Sequence, residues 1–81
     1  MSTTIEHMEL LGRLPAPTDR RRIRQIAGLS LRMVATDLGV TASAVSAWEL
    51  GHRSPTGPRL AQYVALLDEI RRRIGEDIRS G

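Results

Sequence analysis

Apolar and polar positions along this 81-residue chain recur with helical spacing, and almost nothing in it alternates as a half-buried strand would. In residues 4–14, Ile5, Met8 and Leu11 fall at i, i+3 and i+6 and Leu14 closes the stripe, which predicts a short helix capped near Thr3 or Thr4. Glu6 then stands in its first turn, where a negative charge is favourable. Pro15-Ala16-Pro17 breaks that helix, because proline lacks an N–H and pushes the residue before it out of the α region. The result is a stiff extended connector. Thr18 or Asp19 is positioned to cap a second helix from Arg20 to about Ala27, with Ile23 and Ile26 (or Ala27) inward and the arginines outward. Gly28 ends it, Leu29 can pack back over the end, and Ser30 caps the helix that follows.

The densest pattern is Leu31 to Glu49. Val34, Ala35 and Leu38 share one face, and Gly39 supplies a residue that tolerates φ > 0 where the helix must stop. Thr41 offers its hydroxyl to the free N–H groups of a new helix, Ala42 to about Leu50, whose apolar stripe is Val45 and Trp48. Ala35 is small enough to let the second helix approach, and so short a turn sets the two at a steep angle, a helix-turn-helix pattern. Ala42, Ser43, Ser46 and Ala47 are left on the outer face. All are small or hydroxylated, so that face can enter a DNA major groove without steric conflict, and it can equally face water.

After Gly51 the residues His52 to Gly57 form a polar loop, and Pro58 suits the first turn of a last helix that can run to about Arg79. Leu60, Tyr63, Leu67, Ile70 and Ile74 are spaced 3, 4, 3 and 4, a heptad seam that Ile78 continues. Leu60, Val64 and Leu67 are needed over the motif core. Beyond Asp68 the seam must be covered by the N-terminal helix or by a second subunit, and the second is preferred, with Ile70, Ile74 and Ile78 as the candidate dimer surface. The chain therefore divides into residues 1–17, a helix with a proline-rich connector, and residues 18–81, a motif domain with an extended C-terminal helix.

Composition narrows the function. No cysteine is present, so folding rests on apolar packing without disulfides or thiolate metal sites. One domain of this length closes a single modest core of roughly 60% buried surface. All 12 basic residues are arginines. Residues 20–59 hold seven of them (Arg20, Arg21, Arg22, Arg24, Arg32, Arg53, Arg59) against Asp37 and Glu49, a net of +5. The segments on either side are acidic or neutral. A basic middle is what phosphate binding requires, although Arg20 to Arg22 also reads as an ordinary solvated helix face. His7 and His52 are the only histidines and neither accompanies a nucleophile, a paired carboxylate or a second ligand, so enzymatic and metal chemistry are the weakest readings. No cofactor and no small-molecule ligand is expected. No run approaches the length of a membrane span and no leader pattern opens the chain, so the expected location is cytoplasmic, in a bacterium or encoded by its phage, at the nucleoid.

The run Leu29-Ser30-Leu31-Arg32, Val34-Ala35, Gly39-Val40-Thr41, Val45-Ser46, Trp48-Glu49, Gly51 and Pro55 resembles, in order and spacing, the phage-repressor and Cro type of helix-turn-helix regulator, also called the xenobiotic-response-element family. The resemblance covers about residues 18–70. It implies an all-α, lambda-repressor-like bundle of four to five helices, here with an extra short N-terminal helix and a long C-terminal one, and Ala42 to Leu50 as the helix that enters the major groove. By position, Thr41, Ala42, Ser43, Ser46 and Ala47 fall on its DNA-facing side, and His52, Arg53 and Arg59 match the backbone-contacting region after it. Many members carry a phosphate-gripping Gln where this chain has Leu31, and the neighbouring Arg32 is the candidate for that task. Long amide side chains common on the base-facing side are also missing. Readout would fall to Ser43, Ser46, alanine methyls against thymine, and DNA shape. The resemblance further pairs Glu49 with Arg24.

The implied function is sequence-specific, double-stranded operator binding by a homodimeric transcriptional regulator. A protein-binding module such as an antitoxin or adaptor, built on the same fold, is the competing reading.

Overall fold

A computed structural model describes the backbone of residues 3–80 and the side chains of residues 4–75. Five helices account for it, with no strand among the described residues: α1 (Thr3–Arg13), α2 (Pro17–Ile26), α3 (Leu31–Leu38), α4 (Ala42–Leu50) and α5 (Pro58–Ser80). The first four run 8 to 11 residues. Helices below about 12–15 residues are marginal alone in water, so their ends and their packing must hold them.

The ends are built locally. Ser30 Oγ accepts the Met33 N–H at 3.1 Å and Thr41 Oγ1 accepts the Ala44 N–H at 3.1 Å, so both helices of the motif start on a hydroxyl cap. Both stop on a left-handed glycine, Gly39 at φ +70 and Gly51 at φ +76. The N–H beyond each glycine turns back five residues along the chain: Val40 to the Ala35 carbonyl at 2.9 Å, His52 to the Ala47 carbonyl at 3.0 Å. The start of α2 differs from expectation. Its cap residue is Ala16, with no side-chain bond, and Pro17 occupies the first turn, so Thr18 and Asp19 lie inside the helix. Proline's fixed φ and absent donor suit that position, which removes the need for a capping hydroxyl.

The core is Val34, Ala35 and Leu38 of α3, Val45 and Trp48 of α4, and Tyr63 and Leu67 of α5. Leu60 and Val64 of α5 are also buried, and the Trp48 and Tyr63 rings meet at 4.9 Å between centroids, tilted by 44°. This offset, tilted arrangement is favourable for two aromatic quadrupoles. Three further features depart from the periodic pattern. On α1 the partly buried positions are His7 and Leu10, followed by Leu14 just past its end, whereas Ile5, Met8 and Leu11 face outward, Met8 at 65% exposure. On α2 the inward face is Arg20, Ile23, Arg24 and Ala27, and Ile26 is turned out at 62%. Finally α1 and α2 both lie against α5, Arg13 Nη2 reaches Asp68 Oδ2 at 2.7 Å, and Ile70 is buried within the single chain at 8% exposure. Ile74 is half-buried, and the side chain of Ile78 lies outside the described residues. Among the described residues no helix is long and apolar enough to cross a membrane.

Gly51 combines two constraints, a left-handed φ and a Pro17 ring whose Cγ would stand 3.3 Å from any added Cβ. Gly51→Ala should lower stability by about 1–2 kcal/mol, read as a lower denaturant midpoint at unchanged slope. Equal midpoints would mean that the turn relaxes without cost.

Candidate nucleic-acid interface

The outer face of α4 is defined by what its inner face is tied to. Val45, Trp48 and Glu49 are buried. Glu49 takes a two-pronged bond from Arg24, Nε to Oε2 at 2.6 Å and Nη2 to Oε1 at 2.9 Å, and Arg24 Nη1 also donates to the Leu29 carbonyl at 2.8 Å. This pair is nearly dry, the two side chains being 13% and 5% exposed. The hydrogen bond to Glu49 is the main reason the Arg24 pKa is raised, against a smaller opposing effect of burial. Arg20 lies on the same face of α2 and donates to the carbonyls of Pro15 at 2.7 Å and Trp48 at 2.9 Å. α4 is therefore held from α2 at two points one turn apart on that helix.

Thr41, Ala42 and Ser43 are then exposed, while Ser46 and Ala47 are partly buried. Ser46 borders a shallow cleft whose other walls are Arg21, Arg24, Leu31, Glu49 and Leu50. A second depression is lined by Ala44, Trp48, Arg53, Ser54, Pro55 and Arg59, so the loop after α4 and the first turn of α5 come together beside it. Arg59 reaches across to the turn of the motif, Nη2 to the Gly39 carbonyl at 3.4 Å, with Nη1 on Gln62 Oε1 at 3.2 Å. His52, Arg53 and Arg32 are exposed. Arg53 and Arg59 thus share a depression with α4, whereas Arg32, at the start of α3, borders neither of these two hollows.

Two arginines behave differently from their periodic placement. Arg20 is inside at 8% exposure, and Arg21, which pattern alone leaves on a solvated face, lines the cleft beside Ser46. The available signal is the Arg24–Glu49 pairing. Once Arg24 must turn inward, Arg20 follows it at i−4 on the same face, and Arg21 at i−3 lies on the edge toward α4. Among the described residues no group of acidic, histidine or cysteine side chains is arranged to hold a metal ion.

Short capped helices, a glycine turn, a buried ion pair behind the second helix and a small-residue face in front of it define a helix-turn-helix bundle. The family model described as Helix-turn-helix matches residues 21–71, more than half of the chain, and the chain belongs to that family, the Cro and repressor type of DNA-binding regulators. No curated protein matches the chain, and no solved structure does.

Tyr63 stands at the centre of the packing. Burial, and then the charge of Glu49, push its phenol from 10.0 up to about 12, with Arg20 and Arg24 opposing. A pKa raised on folding means that the native state keeps its proton longer than the unfolded chain. That contribution is complete below pH 10 and is lost as pH rises through about 12. Stability should fall across this window by roughly 2–3 kcal/mol, and Tyr63→Phe should flatten the fall. As the chain has a single tyrosine, tyrosinate absorbance checks it directly. Ionisation near pH 10 in the folded protein would refute the assignment.

Proposed function

We propose that the chain is a sequence-specific transcriptional regulator that binds a palindromic operator as a homodimer, inserting α4 into the major groove. The observation that carries this reading is the outer surface of α4. Before the exposed Leu50 at its end, its outward positions are small or hydroxylated, Trp48 and Glu49 behind them are tied to α2, and arginines flank it. Ala42, Ser43, Ser46 and Ala47 are short enough for the helix backbone to approach base edges closely. The serine hydroxyls donate or accept, the alanine methyls meet thymine, and DNA shape supplies the rest of the selectivity. Arg32, Arg53 and Arg59, with His52 and the Thr41 end of α4, contact phosphates and fix the register. Binding of this kind weakens steeply with salt.

Titration of selected and random duplexes at two salt concentrations separates these tasks. Ser43→Glu should abolish the preference for the selected sequence. Arg53→Ala should weaken both duplexes alike and reduce the salt slope by about one. Equal, weak binding of wild type to both duplexes would sink the operator reading. It would favour the second one, a protein-binding module, for which the outward row Met8 and Leu11 on α1 is the supporting observation.

One bundle of this size reads few base pairs, and two copies on half-sites about 34 Å apart read enough. The C-terminal half of α5 is the proposed contact. Ile70 is already buried in its own chain, so Ile74, half-buried, is the residue that tests it, with Ile78 beyond. Ile74→Asp should give a monomer in sedimentation equilibrium where wild type gives a dimer. An unchanged dimer mass would place the contact elsewhere, with the outward face of α1 next to be tested.

A further inference from the structure

Residues 15–20 lie outside the stretch that the family model covers, yet they are fastened to the end of α4. Arg20 makes the connection, bridging the Pro15 carbonyl in the connector and the Trp48 carbonyl in the last turn of α4. Among the described residues no carboxylate lies within ion-pairing distance of it. A guanidinium buried on carbonyls alone loses hydration without gaining a countercharge, and burial lowers its pKa accordingly. An apolar side chain would fill the space at less cost. What the guanidinium adds is a rigid fork that holds two carbonyls from separate segments at a fixed separation. The Trp48 carbonyl is in the helix's last turn, where acceptors lack full intrahelical partners and a cation meets the negative end of the helix.

A second contact, independent of charge, lies at the same end. Gly51 leaves the space into which the Pro17 ring packs. Immediately after it the N–H groups of His52 and Arg53 both turn back to the Ala47 carbonyl, at 3.0 and 3.4 Å. The placement of this one turn therefore decides where the loop carrying Arg53 points.

We propose that Arg20 is a positioning residue, clamping the C-terminal turn of α4 to the N-terminal connector and so setting the direction in which the loop presents Arg53. Its consequence for DNA rests on the operator reading above; the clamp itself does not.

Backbone amide hydrogen exchange on the full chain, for wild type, Arg20→Met and Arg20→Lys, tests it. With Met, exchange at Gly51, His52 and Arg53 should accelerate at least about tenfold, the loss of a hydrogen bond to a charged group, while amides of α3 and of Val64 to Leu67 keep their wild-type rates. Lysine, with charge but no fork, should fall between. If the Met variant does not fold, the Lys variant carries the same readout. Uniform acceleration, the mark of a merely structural role, overturns the clamp, and so does no change. On DNA, Arg20→Met should weaken selected and random duplexes alike and reduce the salt slope by about one, as loss of the Arg53 phosphate contact does. Wild-type affinity and salt slope in a variant with loosened 51–53 amides would overturn the link to presentation. Absence of any preference in wild type would instead defeat the operator reading, and the exchange pattern would still decide the clamp.

Discussion

The bond between Arg24 and Glu49 is the constraint on which the rest of this bundle depends. Two parallel N–H to oxygen contacts, at 2.6 and 2.9 Å and nearly out of water, fix both the separation and the rotation of α2 against α4. The same guanidinium takes the Leu29 carbonyl just past the end of α2, so the pair also sets where the chain enters α3. Replacing such a pair by apolar residues of equal volume would cost little or nothing in stability, whereas removing one partner strands a buried charge. Its contribution is geometric. With Glu49 held from behind, Val45 and Trp48 can seat only on α3 and α5, and the remaining face of α4 can point only outward.

The helices so positioned are short, and their ends compensate. Hydroxyl caps at Ser30 and Thr41 and glycine turns at Gly39 and Gly51 satisfy groups that an 8- or 9-residue helix leaves unpaired in large proportion. Buried side-chain polar atoms are all bonded among the described residues, which a core holding two arginines, a glutamate and a tyrosine requires. The long α5 then closes the bundle, with Leu60, Tyr63, Val64 and Leu67 covering α3 and α4 and Ile70 covered in turn by the chain's own helices.

How far this was legible from residues alone follows from where the information resides. The motif from Ser30 to Gly51 depends on local signals, a hydroxyl before each helix and a glycine after it, and the helix bounds follow from them. The rotation of α1 and α2 does not. On α1, Ile5-Met8-Leu11 and Leu10-Leu14 are rival stripes roughly 140° apart around the helix, and only contact with α5 selects the second. On α2, hydropathy ranks Ile26 above Arg24 for the interior, and the ranking is reversed by one carboxylate that is distant in sequence. The outer face of α4 was visible as a pattern, but the cleft that joins Ser46 to Arg21 depends on that same rotation. Pro17 illustrates the converse: a residue read as a breaker became the first turn of a helix, because its ring fits both the turn and the space above Gly51.

The choice of arginine at positions 20 and 24 has the same root. A lysine ammonium is a point charge that could not hold Glu49 with two bonds or bridge the carbonyls of Pro15 and Trp48, so the interior positions demand a planar fork. Outside, the same fork suits phosphate. Counting charge along the chain cannot separate these tasks, and the structure changes the count in only one respect. Arg24 and Glu49 cancel inside, Arg20 is withdrawn from the surface, and Arg21, Arg22, Arg32, Arg53 and Arg59 face outward against Asp37. A surface net of +4 survives in the middle of the chain, so the basic character that suits a polyanion does not depend on the residues spent on building the fold.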